Sequence, residues 1–191
     1  MRVAVIGGTG HVGTYLVPRL VELGHDVVCI SRGKREPYRQ DGAWARVQRV
    51  LIDREEAEAA GDFGRRIADL GADVVIDMVC FRLESARHLV DALYGEVQHF
   101  LHTGTIWVHG PKVEAPTTEQ QPRRHFGEYG PPYGAYGLQK AAIESYLLDQ
   151  ARRRGLPATV VHPGHTEGSP WEPVNPVGSL KVEVFGTLAR G

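Results

Sequence analysis

Cysteine is scarce in this chain. Only Cys29 and Cys80 occur among 191 residues, so neither a disulfide framework nor a thiolate-rich metal cluster organises it. Both lie in apolar runs that read as strands, where a buried free thiol is the expected state, and a cytoplasmic setting follows. An excess of either charge is also missing. Twenty-two lysines and arginines stand against 23 aspartates and glutamates, which removes bulk attraction to nucleic acid or to an anionic membrane surface. No apolar run has the length needed to span a bilayer. The opening residues Arg2 to Ile6 read as a strand rather than as a secretory signal. Internal repeats and low-complexity tracts are absent. What remains is an ordinary globular composition, long enough for one domain with a real core, and a small molecule is the expected partner.

Short apolar runs rich in valine and isoleucine alternate with helical stretches. The runs are Val3 to Ile6, Asp26 to Ile30, Val47 to Leu51, Val74 to Val79, His99 to His102 and Ala158 to His162. They are mostly continuous rather than alternating, as parallel strands covered on both faces are. Between them the sequence predicts helices over Val12 to Leu23, Phe63 to Leu70, Ser85 to Leu93 and Ala135 to Arg154, with Gly24, Gly71 and Gly155 as stops. The class is therefore α/β, with a doubly wound parallel sheet and helices on both faces. Ile106 to Pro132 and Pro163 to Gly178 lack periodicity and read as long loops. A last short helix is expected over Val182 to Ala189.

The first strand runs into Gly7-Gly8-Thr9-Gly10-His11-Val12-Gly13, and a helix follows. Glycines at 7, 10 and 13 provide a tight turn, bare backbone beside a pyrophosphate and close helix-to-strand packing, with free amides at the helix start facing the negative charge. The spacing is one residue longer than the common G-x-G-x-x-G dinucleotide fingerprint. The strand before it and the helix after it supply the confirming context for a Rossmann-type site. Gly7, Thr9, Gly10, His11, Val12 and Gly13 are the expected phosphate contacts; a merely tight turn is the competing reading. After the second strand comes Ser31-Arg32, with no acid to hold a ribose 2′-hydroxyl. An arginine there suits a 2′-phosphate, so NADP is expected ahead of NAD, with Ser31 and Arg32 as contacts. Asp53, after the third strand, is read either as an adenine contact or as a helix N-cap.

Tyr136 and Lys140 lie four apart on the last long helix, on one face. The lysine ammonium would favour the ionised form of the tyrosine. With the glycine loop, this pair resembles the short-chain dehydrogenase/reductase superfamily. More closely, the chain resembles its extended branch, the NAD-dependent epimerase/dehydratase family. Phe100 to Gly110 resembles the family's fifth strand and the turn after it, with Thr105 on the catalytic serine or threonine position. His162-Pro163-Gly164 resembles the family's Arg-Pro segment after the sixth strand, which makes His162 and Pro163 expected cofactor neighbours. The resemblance implies a catalytic trio: Tyr136 as general acid/base, Lys140 on it and on the nicotinamide ribose, and Thr105 on the reacting oxygen. It implies an oxidoreductase or epimerase acting on a hydroxyl or keto carbon, perhaps of a nucleotide sugar. The rival is a non-catalytic NADP-binding redox sensor, or an RNA- or protein-binding scaffold of the same fold.

Several positions depart from the family pattern. Ile106-Trp107 follow Thr105 where dehydratases carry Asp-Glu, which argues against sugar 4,6-dehydration. Asp77 and Cys80 stand where small residues are usual, and aligning that strand places them beside the cofactor's ribose or nicotinamide. His109 replaces a tyrosine and His162 an arginine. His162-Pro163-Gly164-His165 is a close-spaced histidine pair in a loop, and no metal site is expected from it. Glu119, Arg123 and Arg124 are read as substrate contacts or as a solvated loop. A homodimer through Ser85 to Leu93 and Ala135 to Arg154 is the family habit, although the apolar Leu138, Ala141, Ala142 and Tyr146 fit core packing equally. Extended members run on into a small C-terminal domain. The expectation is therefore a dinucleotide-binding domain over 1–165 and the start of a truncated substrate-binding region over 166–191.

Overall fold

The computed structural model describes residues 1–109, 118–120, 133–164, 166 and 168. Within them a six-stranded parallel sheet runs in the order β3-β2-β1-β4-β5-β6. The strands are β1 (Arg2–Ile6), β2 (Asp26–Ser31), β3 (Gln48–Leu51), β4 (Val74–Asp77), β5 (His99–Thr103) and β6 (Ala158–Val161). The helices are α1 (Gly13–Glu22), α2 (Arg54–Ala59), α3 (Phe63–Ala68), α4 (Leu83–Leu93) and α5 (Tyr133–Arg154). Two 3-10 helices cover Gly42–Arg46 and Ile106–His109. β1 pairs with β2 from Arg2↔Asp26 to Ile6↔Ile30, and with β4 from Val3↔Val74 to Ile6↔Asp77. The chain therefore winds outward from β1 in one direction and from β4 in the other. The carboxyl ends of these two strands form the switch point at which ligands bind in such sheets.

The central strands bury both faces. Ala4, Ile6, Val28, Ile30 and Val75 join Leu89, Val90, Ile143 and Leu147 in one core layer. Val3, Val5, Val27 and Ile76 pack on the other side with Val17 and Val21 of α1. The outer strands β3 and β6 lie at the sheet edges and are only half covered. The expected helix stops Gly24, Gly71 and Gly155 all carry positive φ, in the left-handed conformation that ends helices.

Helix α2 is missing from the sequence reading. Its Arg-Glu-Glu-Ala-Glu-Ala sequence has no apolar period, and only Ala57 is buried. It is started by Asp53, whose carboxylate accepts the amide of Glu55 at 3.1 Å. The long loop expected from Ile106 likewise opens as a 3-10 helix, and Cys80 lies beyond the end of β4 rather than in a strand. The expected helix Val182 to Ala189, most of the region 166–191, and Arg123, Arg124 and His165 lie outside the described residues. Among the described residues no helix is long and apolar enough to cross a membrane.

β5 carries a buried histidine. His102 is 1% exposed, and its Nε2 has no hydrogen-bond partner among the described residues. Burial and then the Lys140 ammonium push its pKa from 6.5 down to about 4, against the pull of Asp77. The unfolded chain therefore takes up this proton first. Stability that is complete above pH 6.5 falls as the pH drops to about 4, by roughly 3 kcal/mol from this group. Urea melts of wild type and His102→Leu across that range should differ by this amount, and parallel acid losses in the two chains would refute the assignment.

Candidate active site

The cleft at the switch point measures about 400 Å³ and is walled by the ends of β1 and β2 and by the segments after β3 and β4. Gly7, Thr9 and Gly10 form one side of it. The loop is closed from within: the amide of Gly7 donates to Ile30 O, Gly10 to Gly7 O and Thr14 to Gly10 O. The amides of Thr9 and Val12 donate to no backbone oxygen among the described residues, as a phosphate cradle at a helix start requires. There is no room for side chains. A Cβ at Gly7 would lie 2.6 Å from Val79 Cγ1, and one at Gly13 would lie 2.2 Å from Gly8 O. Gly8, passed over in the reading by threes, is thus the packing partner of Gly13. Counted from Gly8, the loop also has the common G-x-G-x-x-G spacing. The residues present therefore fit a dinucleotide pyrophosphate. His11 is placed differently from expectation, since its side chain stays off the cleft wall. Its ring stacks on Tyr38 and bonds to the Tyr38 hydroxyl and, at 3.0 Å, to Thr166 O.

The half of the cleft beyond β2 and β3 is lined by Ser31, Arg32, Arg35, Asp53, Arg54 and Phe63, among others. Ser31 Oγ accepts the amide of Gly33 at 3.3 Å, and Arg32 is exposed. Of the two roles open to Asp53, the structure shows the N-cap. Its other oxygen pairs with Lys34 at 3.5 Å. Asp77 turns away from the position expected of it. It is 1% exposed, and both its oxygens accept from Arg54 Nη1, at 2.9 and 3.0 Å. Glu58 holds the same guanidinium at 2.6 Å and in turn receives Ser85 and Arg82. Burial works against the Arg54 charge, and the carboxylates beside it, Asp77 foremost, outweigh that and raise its pKa. The guanidinium lies 4.8 Å from the Phe63 ring centroid, a cation–π contact at the cleft floor.

Next to Phe81, and not among the residues that line the cleft, α5 carries Tyr136 half-buried and Lys140 at 2% exposure. Lys140 Nζ donates to Thr103 O at 2.7 Å and lies 5.9 Å from the Tyr136 ring centroid. Burial lowers its pKa from 10.5 to about 8, with Cys80 and Asp77 pulling the other way. The Tyr136 hydroxyl has no hydrogen-bond partner among the described residues. Thr105 is 3% exposed, and its Oγ1 accepts the amide of Trp107 at 3.3 Å, which starts the Ile106–His109 turn. Tyr136 and Lys140 lie together, and Thr105 follows by two residues the Thr103 whose carbonyl Lys140 holds. Cys29 and Cys80 are buried free thiols pushed up by burial to about 11 and about 12, unlike reactive cysteines.

The two histidines that depart from the family pattern meet each other. His109 Nε2 is 3.2 Å from His162 Nδ1, and His162 Nε2 is 3.0 Å from a Glu144 oxygen. Glu144 is 4% exposed and follows Lys140 by four on α5. His162 therefore braces α5 against the turn after Thr105 and does not line the cleft. Pro163 does the same through its backbone, with its carbonyl receiving the amide of Ile106 at 3.0 Å. Sequence reasoning missed Arg54, Phe81 and Glu144. A charged residue in a short polar helix, a lone aromatic after a strand and a glutamate among helix polars carry no local signal of burial or of a site. Among the described residues no cluster of three histidines, cysteines or carboxylates is arranged to hold a metal ion.

The comparisons with known proteins agree with this fold. The chain is 31% identical over 144 residues to 2'-dehydrokanamycin reductase of Streptomyces kanamyceticus, covering 75% of this chain and 37% of that protein. It is 29% identical over 172 residues to UDP-glucose 4-epimerase of Corynebacterium glutamicum, covering 83% of this chain and 49% of that one. The chain thus spans less than half the length of either curated relative. Among solved structures, UDP-glucose 4-epimerase of Thermotoga maritima with UDP-glucose superposes with a TM-score of 0.66 at 21% identity, over 85% of this chain and 55% of that one. The Bordetella bronchiseptica enzyme WbmH in complex with NAD+ gives 0.63 at 21% identity, over 84% and 55%. These two likenesses show the fold. The sequence profile described as "NAD dependent epimerase/dehydratase family" matches residues 3–180. The chain belongs to the NAD dependent epimerase/dehydratase family, of the extended short-chain dehydrogenase/reductase type.

Proposed function

We propose that this chain binds NADP in preference to NAD and serves oxidation or reduction at a hydroxyl or ketone carbon of a sugar-type substrate, with Tyr136 as acid/base. The observation that carries this reading is the buried Lys140 ammonium fixed on Thr103 O and facing the Tyr136 ring. A lysine this deep costs stability in an apolar setting, and its place beside the Tyr136 ring gives that cost a purpose. When bound, the nicotinamide supplies the hydride acceptor or donor. Tyr136 exchanges a proton with the substrate oxygen. Lys140 places positive charge where negative charge develops on the tyrosine oxygen, and it offers its remaining N–H groups to the cofactor's ribose. Thr105 Oγ1, fixed by the turn after β5, holds the reacting oxygen in position. The sugar character of the substrate comes from the names of the reductase and epimerase relatives.

The NADP preference rests on Arg32 and Arg35 lining the cleft after β2, where no acid follows the strand. A guanidinium in this place suits a 2′-phosphate. Calorimetric titration tests it. Wild type should bind NADPH more tightly than NADH. Arg32→Ala should weaken NADPH by about tenfold or more, the worth of one charge-assisted contact, and leave NADH unchanged. Tighter NADH binding by wild type would overturn the preference. Binding of both dinucleotides without turnover of any carbonyl sugar would favour a redox sensor instead.

A further inference from the structure

Phe81 follows the end of β4 and is 52% exposed, an unusual state for a phenylalanine beside a buried cation. Its ring does two things at once. It forms part of the cleft wall with Val79. It also lies 4.9 Å from Lys140 Nζ, closer than the Tyr136 ring at 5.9 Å. The Phe81 and Tyr136 rings are themselves 6.3 Å apart, tilted by 43°. The ammonium thus lies 4.9 and 5.9 Å from two neighbouring ring centroids, with Thr103 O its one hydrogen-bond acceptor among the described residues. This placement is built in from outside the ring. The start of α4 is held to α5 by Gln139, whose side-chain oxygen accepts the amide of Leu83 at 3.0 Å. Gln139 precedes Lys140 and Leu83 lies two residues past Phe81, so one bond sets the aromatic against the lysine.

We infer that Phe81 is a positioning residue for Lys140, its ring face holding the ammonium at the inner end of the cleft where the nicotinamide-side ribose arrives. This rests on the dinucleotide reading proposed above. A long lysine side chain has many rotamers, and one backbone acceptor fixes only its tip. A π face on the side nearest the cleft limits where the remaining N–H groups point, and it stabilises the positive charge that burial opposes. Phe81 therefore acts on one half of the cofactor only. The adenine half is bound by the glycine loop, Arg32 and Arg35, which Phe81 does not hold.

That split provides the test. NADPH and 2′,5′-ADP, which lacks the nicotinamide mononucleotide half, are titrated calorimetrically into wild type, Phe81→Leu and Phe81→Tyr. Phe81→Leu should weaken NADPH by about fivefold or more, within the range of a partly desolvated cation–π contact, and leave 2′,5′-ADP unchanged. Phe81→Tyr, which keeps the ring, should restore NADPH. Equal weakening of both ligands would mean damage to the cleft wall and would overturn the inference, as would unchanged NADPH binding in Phe81→Leu. If wild type prefers NADH, the same comparison with NADH against ADP separates the Phe81 role from the cofactor preference. Binding of neither dinucleotide by wild type overturns the site reading and the Phe81 role together.

Discussion

Tyr136→Phe is expected to reduce turnover by roughly a hundred- to ten-thousandfold, the usual worth of a positioned acid/base. Dinucleotide affinity and thermal stability should stay close to wild type. The structure supports that separation. The Tyr136 hydroxyl bonds to nothing among the described residues, so its removal orphans none of them. The ring, which packs at 6.3 Å from Phe81 and faces the Lys140 ammonium, is kept. What is lost, on the proposed reading, is the hydroxyl that passes a proton to the substrate oxygen near the Lys140 ammonium. The Lys140 pKa is held down to about 8, so that charge is in place below this pH. The check is carbonyl reduction followed by nicotinamide absorbance, with calorimetry of NADPH on the same sample. Turnover within about tenfold of wild type would remove Tyr136 from the acid/base role.

Asp77→Ala should destabilise the fold by roughly 3–5 kcal/mol, as the loss of one partner from a buried ion pair does. Asp77 is 1% exposed and grips Arg54 through both oxygens. Without it the Arg54 guanidinium keeps only Glu58 and the Phe63 ring as strong partners, in a place that water reaches poorly. The damage comes from the abandoned charge rather than from lost volume. Replacing both groups, as Arg54→Met with Asp77→Leu, should therefore cost less than Asp77→Ala alone. Urea denaturation of the three chains decides this. A loss below about 1 kcal/mol in Asp77→Ala, or a double variant worse than the single, would show that the pair is not the stabilising unit described. Because Arg54 also lines the cleft, Asp77→Ala should weaken dinucleotide binding through Arg54, although Asp77 itself does not face the cleft.

The sequence by itself determined the sheet, the phosphate loop and the tyrosine–lysine pair. Each is a local pattern: valine-rich runs of strand length, glycines in a turn between strand and helix, and two residues one helical turn apart. Strands and helices are set by neighbours along the chain, so their boundaries moved by only a few residues between expectation and structure. Asp53, Asp77, His162 and the inner face of α5 were decided elsewhere. From the sequence, the apolar residues Leu138, Ala141, Ala142 and Tyr146 suggest the packed side of α5. In the structure Leu138 is 40% exposed, and the inward face carries Lys140, Ile143, Glu144 and Leu147. Two of those four are charged, so the usual link between polarity and exposure fails on this helix, and of the apolar four Tyr146 packs against the core while Leu138 does not. A buried charge needs a partner, and for these residues the partner lies far away in sequence. Lys140 finds Thr103 O, Glu144 finds His162, and Asp77 finds Arg54. Such partners are brought together by the order of strands in the sheet, and no local pattern records them.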